Sequence, residues 1–255
     1  MLCRTAYDLY WVARHMERAE NTARLLDMAQ RIALLPERLD RGKAAAAAWR
    51  RALDSLGIVE SFIAEGRTLD AGGVVQHLLL SPENPNSIFN CIRIARENAR
   101  AQRVAITGEM YEDLNASWLE VRRFDAQRLR HDGLSTTLEW VKTRSASFRG
   151  ITIGTLGRGE GYHFLQMGAF IERADWSIRL LDMIGSDAEL PQMPPVPTAP
   201  SMKTEATIAL PNPVRIERSR DAPRRGARSM GVSTALDTNG KGRFRLNVSV
   251  SMCRL

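Results

Sequence analysis

The chain has 255 residues, 44% of them hydrophobic, and a formal net charge of +7. That length carries one large core or two small ones. Three widely spaced cysteines, Cys3, Cys91 and Cys253, offer neither a disulfide framework nor a cysteine-based zinc site, no apolar run reaches the length of a membrane span, and the charges at Asp8, Arg14, Glu17 and Arg18 leave no signal-peptide core. A soluble, cytoplasmic protein is expected, with no membrane association.

The charge is unevenly placed. Residues 186–255 hold 11 Lys and Arg against 6 Asp and Glu, and eight of the 11 prolines. The body, 1–185, is nearly balanced. The first helix is predicted from a cap at Thr5 to about Leu34, ending before Pro36. "GKAAAAAWRRALDSLGIVESFIAEG" is Ala-rich and reads as a second helix with a weak point at Gly57. "GGVVQHLLL" is a short helix ending at "SPENPNS", where Asn86 or Ser87 caps a long helix from Ile88. "GEMYEDLNASWLEVRR" extends that helix past Gly108 or restarts it. A further helix is predicted over about 135–153 and a last one over about 162–184. Before residue 186 only "RGITIG" has any strand character, so the fold class is all-α, a helical bundle. After it, "ELPQMPPVPTAPS" cannot be helical, and "RFRLNVSVSM" alternates like a strand without a predicted partner. Residues 186–255 are expected to be a largely disordered tail.

One phrase occurs twice. "HMERAENTARLLDM" occupies 15–28, and "FIERADWSIRLLDM" occupies 170–183. This is an internal repeat, and the second copy runs into the Pro-rich tail, so the second repeat is expected to be incomplete. At 100° per residue, Arg14, Glu17, Arg18 and Asn21 share one side of the first copy, with Arg24 at its edge. The same stripe continues as Tyr7, Tyr10, Leu25 and Met28, and a second apolar stripe carries Val12, Met16, Ala23 and Leu26. A charged patch inside an apolar seam is a cluster buried between helices. In the second copy Glu172, Asp175, Trp176 and Arg179 share a face with Leu165, and Gly168 and Ala174 permit close packing. If the copies face each other, each Glu meets the other's Arg; buried charges require such pairing. Arg96, Glu97 and Arg100, in "RIARENARAQ", are either a third contributor to this polar centre or a salt-bridged surface.

These residues resemble the alpha-E family, bacterial all-helical proteins with a Glu-Arg motif. The resemblance covers about 1–185 and rests on "RTAYDLYWVARHMERAENTARLLD", "LLLSPENPNSIFNCIRIARENAR", "EMYEDLN" and "GYHFLQMGAFIERADWSIRLLD". It implies an α-helical fold and the genomic company of ATP-grasp and transglutaminase-like proteins. Those are the implied partners, in a system that forms or modifies peptide or amide bonds. Family members usually continue past the second motif with further helices, and this chain departs there.

Two chemical readings follow. Glu17, Arg18, Arg24, Glu172, Arg173 and Arg179 line a cleft for an anionic or peptidic ligand, with arginine supplying planar bidentate recognition and Glu17 or Glu172 available as general base. Alternatively, the pairs only hold helices together. "EGYH" at 160–163 has the spacing of a carboxylate-bridged metal site, but such a site needs two of these and two further glutamates; no metal and no cofactor are expected. "GRGEG" lacks the strand before it and the Lys after it that a phosphate loop needs. Cys91 reads as helix core. The basic tail has no interleaved aromatics, which argues against nucleic acid.

Overall fold

The structure, a computed structural model, describes residues 1–35, 41–187, 231–239 and 243–251. Its order is α1 (Cys3–Ala33), α2 (Arg41–Ser55), α3 (Val59–Ala64), α4 (Ala71–Val75), a π-helical turn (Gln76–Leu80), α5 (Ile88–Ala101), α6 (Gly108–Val121), α7 (Ala126–Asp132), α8 (Leu134–Thr155) and α9 (Glu160–Asp187). The body is all-α, as the periodicity requires. Among the described residues no helix is long and apolar enough to cross a membrane.

α1 is the axis of the bundle and packs against α9, α5, α8 and α2. A helix with neighbours on several sides must be apolar or charge-neutralised on several sides. Accordingly Leu9, Val12, Ala23 and Leu26 are fully buried, and Arg14, Glu17 and Glu20 are buried with them. One apolar cluster joins Leu25 and Leu26 to Leu53, Phe62, Leu79 and Ile88. The other joins Leu9, Val12 and Met16 to Met110, Phe148 and Leu165. Both lie along α1, so the charged stretch from Arg14 to Arg24 runs beside the junction between them.

The boundaries follow local chemistry. Gly57 (φ +68°) breaks the predicted second helix into α2 and α3. Ser87 caps α5 by accepting from Asn90 N at 3.1 Å, and Thr107 restarts the chain as α6. Asp125 caps α7, a short helix the sequence reading passes over. Thr5 does not cap α1. The helix begins two residues earlier, and the Thr5 hydroxyl donates instead to Gln102 Oε1 at 2.9 Å, tying α1 to the end of α5. "RGITIG" is part of α8.

The tail expectation needs one correction. "RFRLNVSVSM" has a partner: β1 (Gly231–Asn239) and β2 (Arg243–Ser251) form an antiparallel pair in which Leu236 faces Leu246 and Val232 faces Val250. "GVSTALDTN" alternates less clearly than its partner, and the Gly-Lys-Gly between them is a turn signal. The stretches 188–230, 240–242 and 252–255, where the rest of the disorder expectation falls, lie outside the described residues.

Candidate functional site

α1 and α9 lie close enough to exchange their charges because of one glycine. A Cβ at Gly168 would stand 2.2 Å from the Tyr10 carbonyl oxygen, so only glycine permits this backbone approach. One turn further along, the two Glu-Arg pairs are crossed. Arg18 of α1 donates from Nε to Glu172 Oε1 at 2.8 Å and from Nη2 to Oε2 at 2.9 Å. Arg14 adds Nε to Glu172 Oε2 at 2.6 Å. In the reverse direction Arg173 of α9 donates from Nε to Glu17 Oε2 at 2.9 Å and from Nη2 to Oε1 at 2.7 Å. Both couples are bidentate forks, the strongest form of this contact.

Each couple has its own surroundings. Glu172 is 3% exposed. Burial pushes its pKa up, but the hydrogen bond and charge of Arg18, with Arg14 behind them, outweigh that and hold it below the usual carboxylate value. Arg14 also donates to the Tyr10 hydroxyl at 2.9 Å and lies over the Tyr10 and Trp11 rings. His15 is buried beside them. Burial, then the nearby Arg18 charge, lowers its pKa to about 4, and among the described residues its Nδ1 has no hydrogen-bond partner. Glu17 belongs to a larger group. Arg149 of α8 reaches Glu17 Oε1 at 3.1 Å and also pairs with Glu20, which Arg24 holds at 2.7 Å. Burial raises the Glu20 pKa, but hydrogen bonds from Arg149 and Arg24 lower it by more.

The sequence-derived candidates therefore divide. Arg14, Glu17, Arg18, Glu172 and Arg173 meet at the α1–α9 seam. Arg24 serves Glu20, and Arg179 pairs with Asp175 one turn back at 3.0 Å. Asn21 is buried, and among the described residues nothing pairs with its Nδ2. Arg96, Glu97 and Arg100 are elsewhere: Arg96 bonds Asn115 of α6 at 3.2 Å and Glu97 at 2.5 Å, and Glu97 meets Arg100 at 3.8 Å. Their helix buries Ile88, Cys91, Ile92, Ala95 and Ala99. That stripe, readable at 100° per residue, turns the charged trio away from α1. Cys91 is fully buried and its thiol is pushed up to about 12 by burial, so it is packed rather than poised for reaction. Glu160 of "EGYH" pairs with the N-terminal ammonium at 2.6 Å.

Above the Glu172 couple opens a cleft of about 540 Å³, within the range of small-molecule sites. Arg18, Glu172, Asp175, Trp176 and Arg179 form one side. The loop over 81–87 and the π-helical turn form the other, with Glu65, Arg67 and His77. The loop is held rigid from inside. Asn90 Nδ2 donates to the carbonyls of Pro82 and Asn84, both at 2.8 Å, and Ser87 Oγ to that of Ser81 at 2.7 Å. Asn84 Nδ2 donates to the His77 carbonyl at 3.0 Å. Asn86 Oδ1 then accepts from Arg18 Nη1 at 3.0 Å, which joins the loop to the Glu-Arg couple. A smaller pocket of about 260 Å³ lies against the Glu17 couple, between α8 and α9, lined by Met16, Phe148, Leu165 and Phe170.

Arg149, Asn86, Arg67 and His77 are the residues that sequence reasoning missed. "SPENPNS" stood out as a loop, and its four Asn and Ser residues were signals for a self-bonded turn. Nothing local marks Arg149.

The family profile described as "a predicted alpha-helical domain with a conserved ER motif" matches residues 1–205. The chain belongs to the alpha-E family. No curated protein and no solved structure matches it. Within the matched span Glu-Arg occurs at Glu17-Arg18, Glu37-Arg38 and Glu172-Arg173, and the first and last of these are the four residues crossed between α1 and α9.

Proposed function

We propose that this alpha-E protein is a binding component of a system that forms or modifies peptide or amide bonds, working beside an ATP-grasp and a transglutaminase-like protein. Its Glu/Arg centre is the floor of a site for a peptidic ligand. The observation that carries this is the cleft of about 540 Å³ open onto the Arg18–Glu172 couple, with a loop clamped by its own side chains as the opposite wall. Such pre-ordering lowers the entropic cost of binding. The arrangement favours holding a ligand over proton transfer. Glu172 is kept ionised by two guanidiniums, and both its oxygens are engaged, whereas a general base works best with its pKa near the operating pH.

The test uses the full chain and a short peptide, Ala-Ala, titrated by calorimetry. Ser61, exposed at the cleft rim, donates to the carbonyl of Ile58 at the start of its own helix at 3.0 Å. Ser61→Trp should fill the cleft and abolish binding without lowering the melting temperature. Binding that survives Ser61→Trp places the peptide elsewhere. For the partner assignment, the ATP-grasp protein should co-purify with the full chain; its absence from the eluate removes that part.

A further inference from the structure

The smaller pocket, between α8 and α9, sets apolar side chains beside spare positive charge. Met16, Phe148 and Leu165 line it and are buried, while Ile153 and Phe170, which also line it, are 53% and 58% exposed. Two large apolar side chains left open on one concave surface favour an apolar group that takes them out of water. At about 260 Å³ the space lies below the range of drug-sized sites. It suits one ring or one short chain.

The charge is an independent observation. The charged residues lining the pocket are Glu17, Arg149 and Arg173. Counting those behind the wall does not cancel the excess. Arg149 also meets Glu20, and Glu20 meets Arg24, which makes three guanidiniums to two carboxylates. Among the described residues none of the three pairs with a further carboxylate. The neighbouring couple adds to the excess, with Arg14 and Arg18 both on Glu172. Donors remain as well. Arg173 spends Nε and Nη2 on Glu17, and Arg149 spends Nη1 and Nη2 on Glu17 and Glu20. Among the described residues Arg173 Nη1 and Arg149 Nε have no acceptor. The Arg173 guanidinium lies over the Phe170 ring at 5.6 Å, so the charge and the apolar rim stand side by side.

We infer that this pocket binds a carboxylate carried on one apolar group. The ring or short chain rests among Met16, Phe148 and Leu165, and the carboxylate takes the unused N–H groups of Arg149 and Arg173. The anion neutralises the surplus guanidinium, and the forks on Glu17 and Glu20 stay as they are. Arginine suits this role because its planar fork serves two carboxylates at once. Two sources carry the chemistry: a small aryl or alkyl acid, and the last residue of a peptide chain. The site is separate from the large cleft and does not depend on what that cleft holds.

The experiment titrates the full chain at neutral pH by calorimetry with 3-phenylpropanoate, its primary amide and N-acetylphenylalanine. The acid should bind at least about tenfold more tightly than the amide, which keeps the shape and loses the charge. Equal binding of acid and amide overturns the carboxylate assignment, and binding by neither the acid nor N-acetylphenylalanine overturns the site. N-acetylphenylalanine binding at least as tightly as 3-phenylpropanoate assigns the pocket to a chain end, and weaker binding assigns it to a small acid. Variants fix the place. Gln166→Trp, on the pocket wall, should fill it and abolish binding, whereas Ser61→Trp, which closes the large cleft, should leave the acid's affinity unchanged. The reverse pattern overturns the assignment to this pocket and leaves the cleft reading untouched. Arg173→Gln should cut the preference for acid over amide to less than about threefold, and Phe170→Ala should weaken both probes alike. An unchanged preference in Arg173→Gln removes the guanidinium pair from the site.

Discussion

Glu172 and Glu17 are gripped by matching arginine forks, yet they belong to different settings. Glu172 has one fork and one extra arginine, all drawn from α1, and it looks onto an open polar cleft. Glu17 shares Arg149 with Glu20, so three helices meet on it, and its pocket is smaller and lined largely by apolar side chains. The difference lies in redundancy. If Glu17 is lost, Arg149 keeps Glu20 and Arg173 is 43% exposed to water. If Glu172 is lost, Arg14, 9% exposed, has no other carboxylate among its described bonds. The same motif can therefore be a spare clamp at one position and an indispensable one at the other.

The most direct way to break this comparison is the pair of neutral substitutions. Glu172→Gln should cost about 3–5 kcal/mol of unfolding free energy, since it strands a buried guanidinium. Glu17→Gln should cost about 1–2 kcal/mol, because its partners are half-solvated or otherwise paired. Urea denaturation measures both, and equal losses would refute the asymmetry.

The next effect sharpens it through pH. His15 lies on the Glu172 side, with a folded pKa of about 4 against 6.5 ordinarily. A lowered histidine pKa means that the unfolded chain binds more protons across that interval, so stability is full above about 6.5 and falls as the pH drops towards 4. The loss is roughly 3 kcal/mol. Glu172, whose pKa is also depressed, keeps its own contribution until the pH falls below its ordinary value of 4.5. His15→Gln should flatten the melting curve's dependence between pH 6.5 and 4.5; a dependence as steep as the parent's would show that other groups carry it.

Gly168→Ala tests what the two couples share. The added methyl would collide with the Tyr10 carbonyl, costing about 1–3 kcal/mol by thermal melts. It should erode both couples together, so that Glu172→Gln costs less in this background than alone. Additive costs would show that the couples do not depend on this contact. The smallest effect is a control: Gly154, exposed on α8 with nothing within 4 Å of its Cβ position, should gain about 0.5–1 kcal/mol on conversion to Ala through helix propensity alone.

Much of this centre could be read from the chain. The phase of Arg14, Glu17 and Arg18 within an apolar stripe implied burial, and burial implied partners. The phase of Ile88, Cys91, Ala95 and Ala99 carried equal information about Arg96 and Arg100, which composition alone left open between the polar centre and a salt-bridged surface. Arg149 was not legible. Arg144 and Arg149 occupy one helix five residues apart, and Arg144 goes to Asp113 of α6 while Arg149 goes to α1. That choice depends on where α8 sits, which no local pattern states. The cleft was hidden for the same reason. His77 and Asn86 meet Arg18 and its neighbours only after the chain between α1 and α5 has folded back over itself.

The contact at Gly168 also limits how the protein can move. Phe164 and Glu172 stand one turn before and after it, so sliding α9 along α1 by a turn would drive a side chain into the Tyr10 carbonyl. Translation is blocked in both directions, while rocking about the glycine is not. The crossing is a hinge pin. Glu172 and Arg173 both follow Gly168 in α9, on the same arm of that pin, so any tilt about it moves both Glu-Arg couples together.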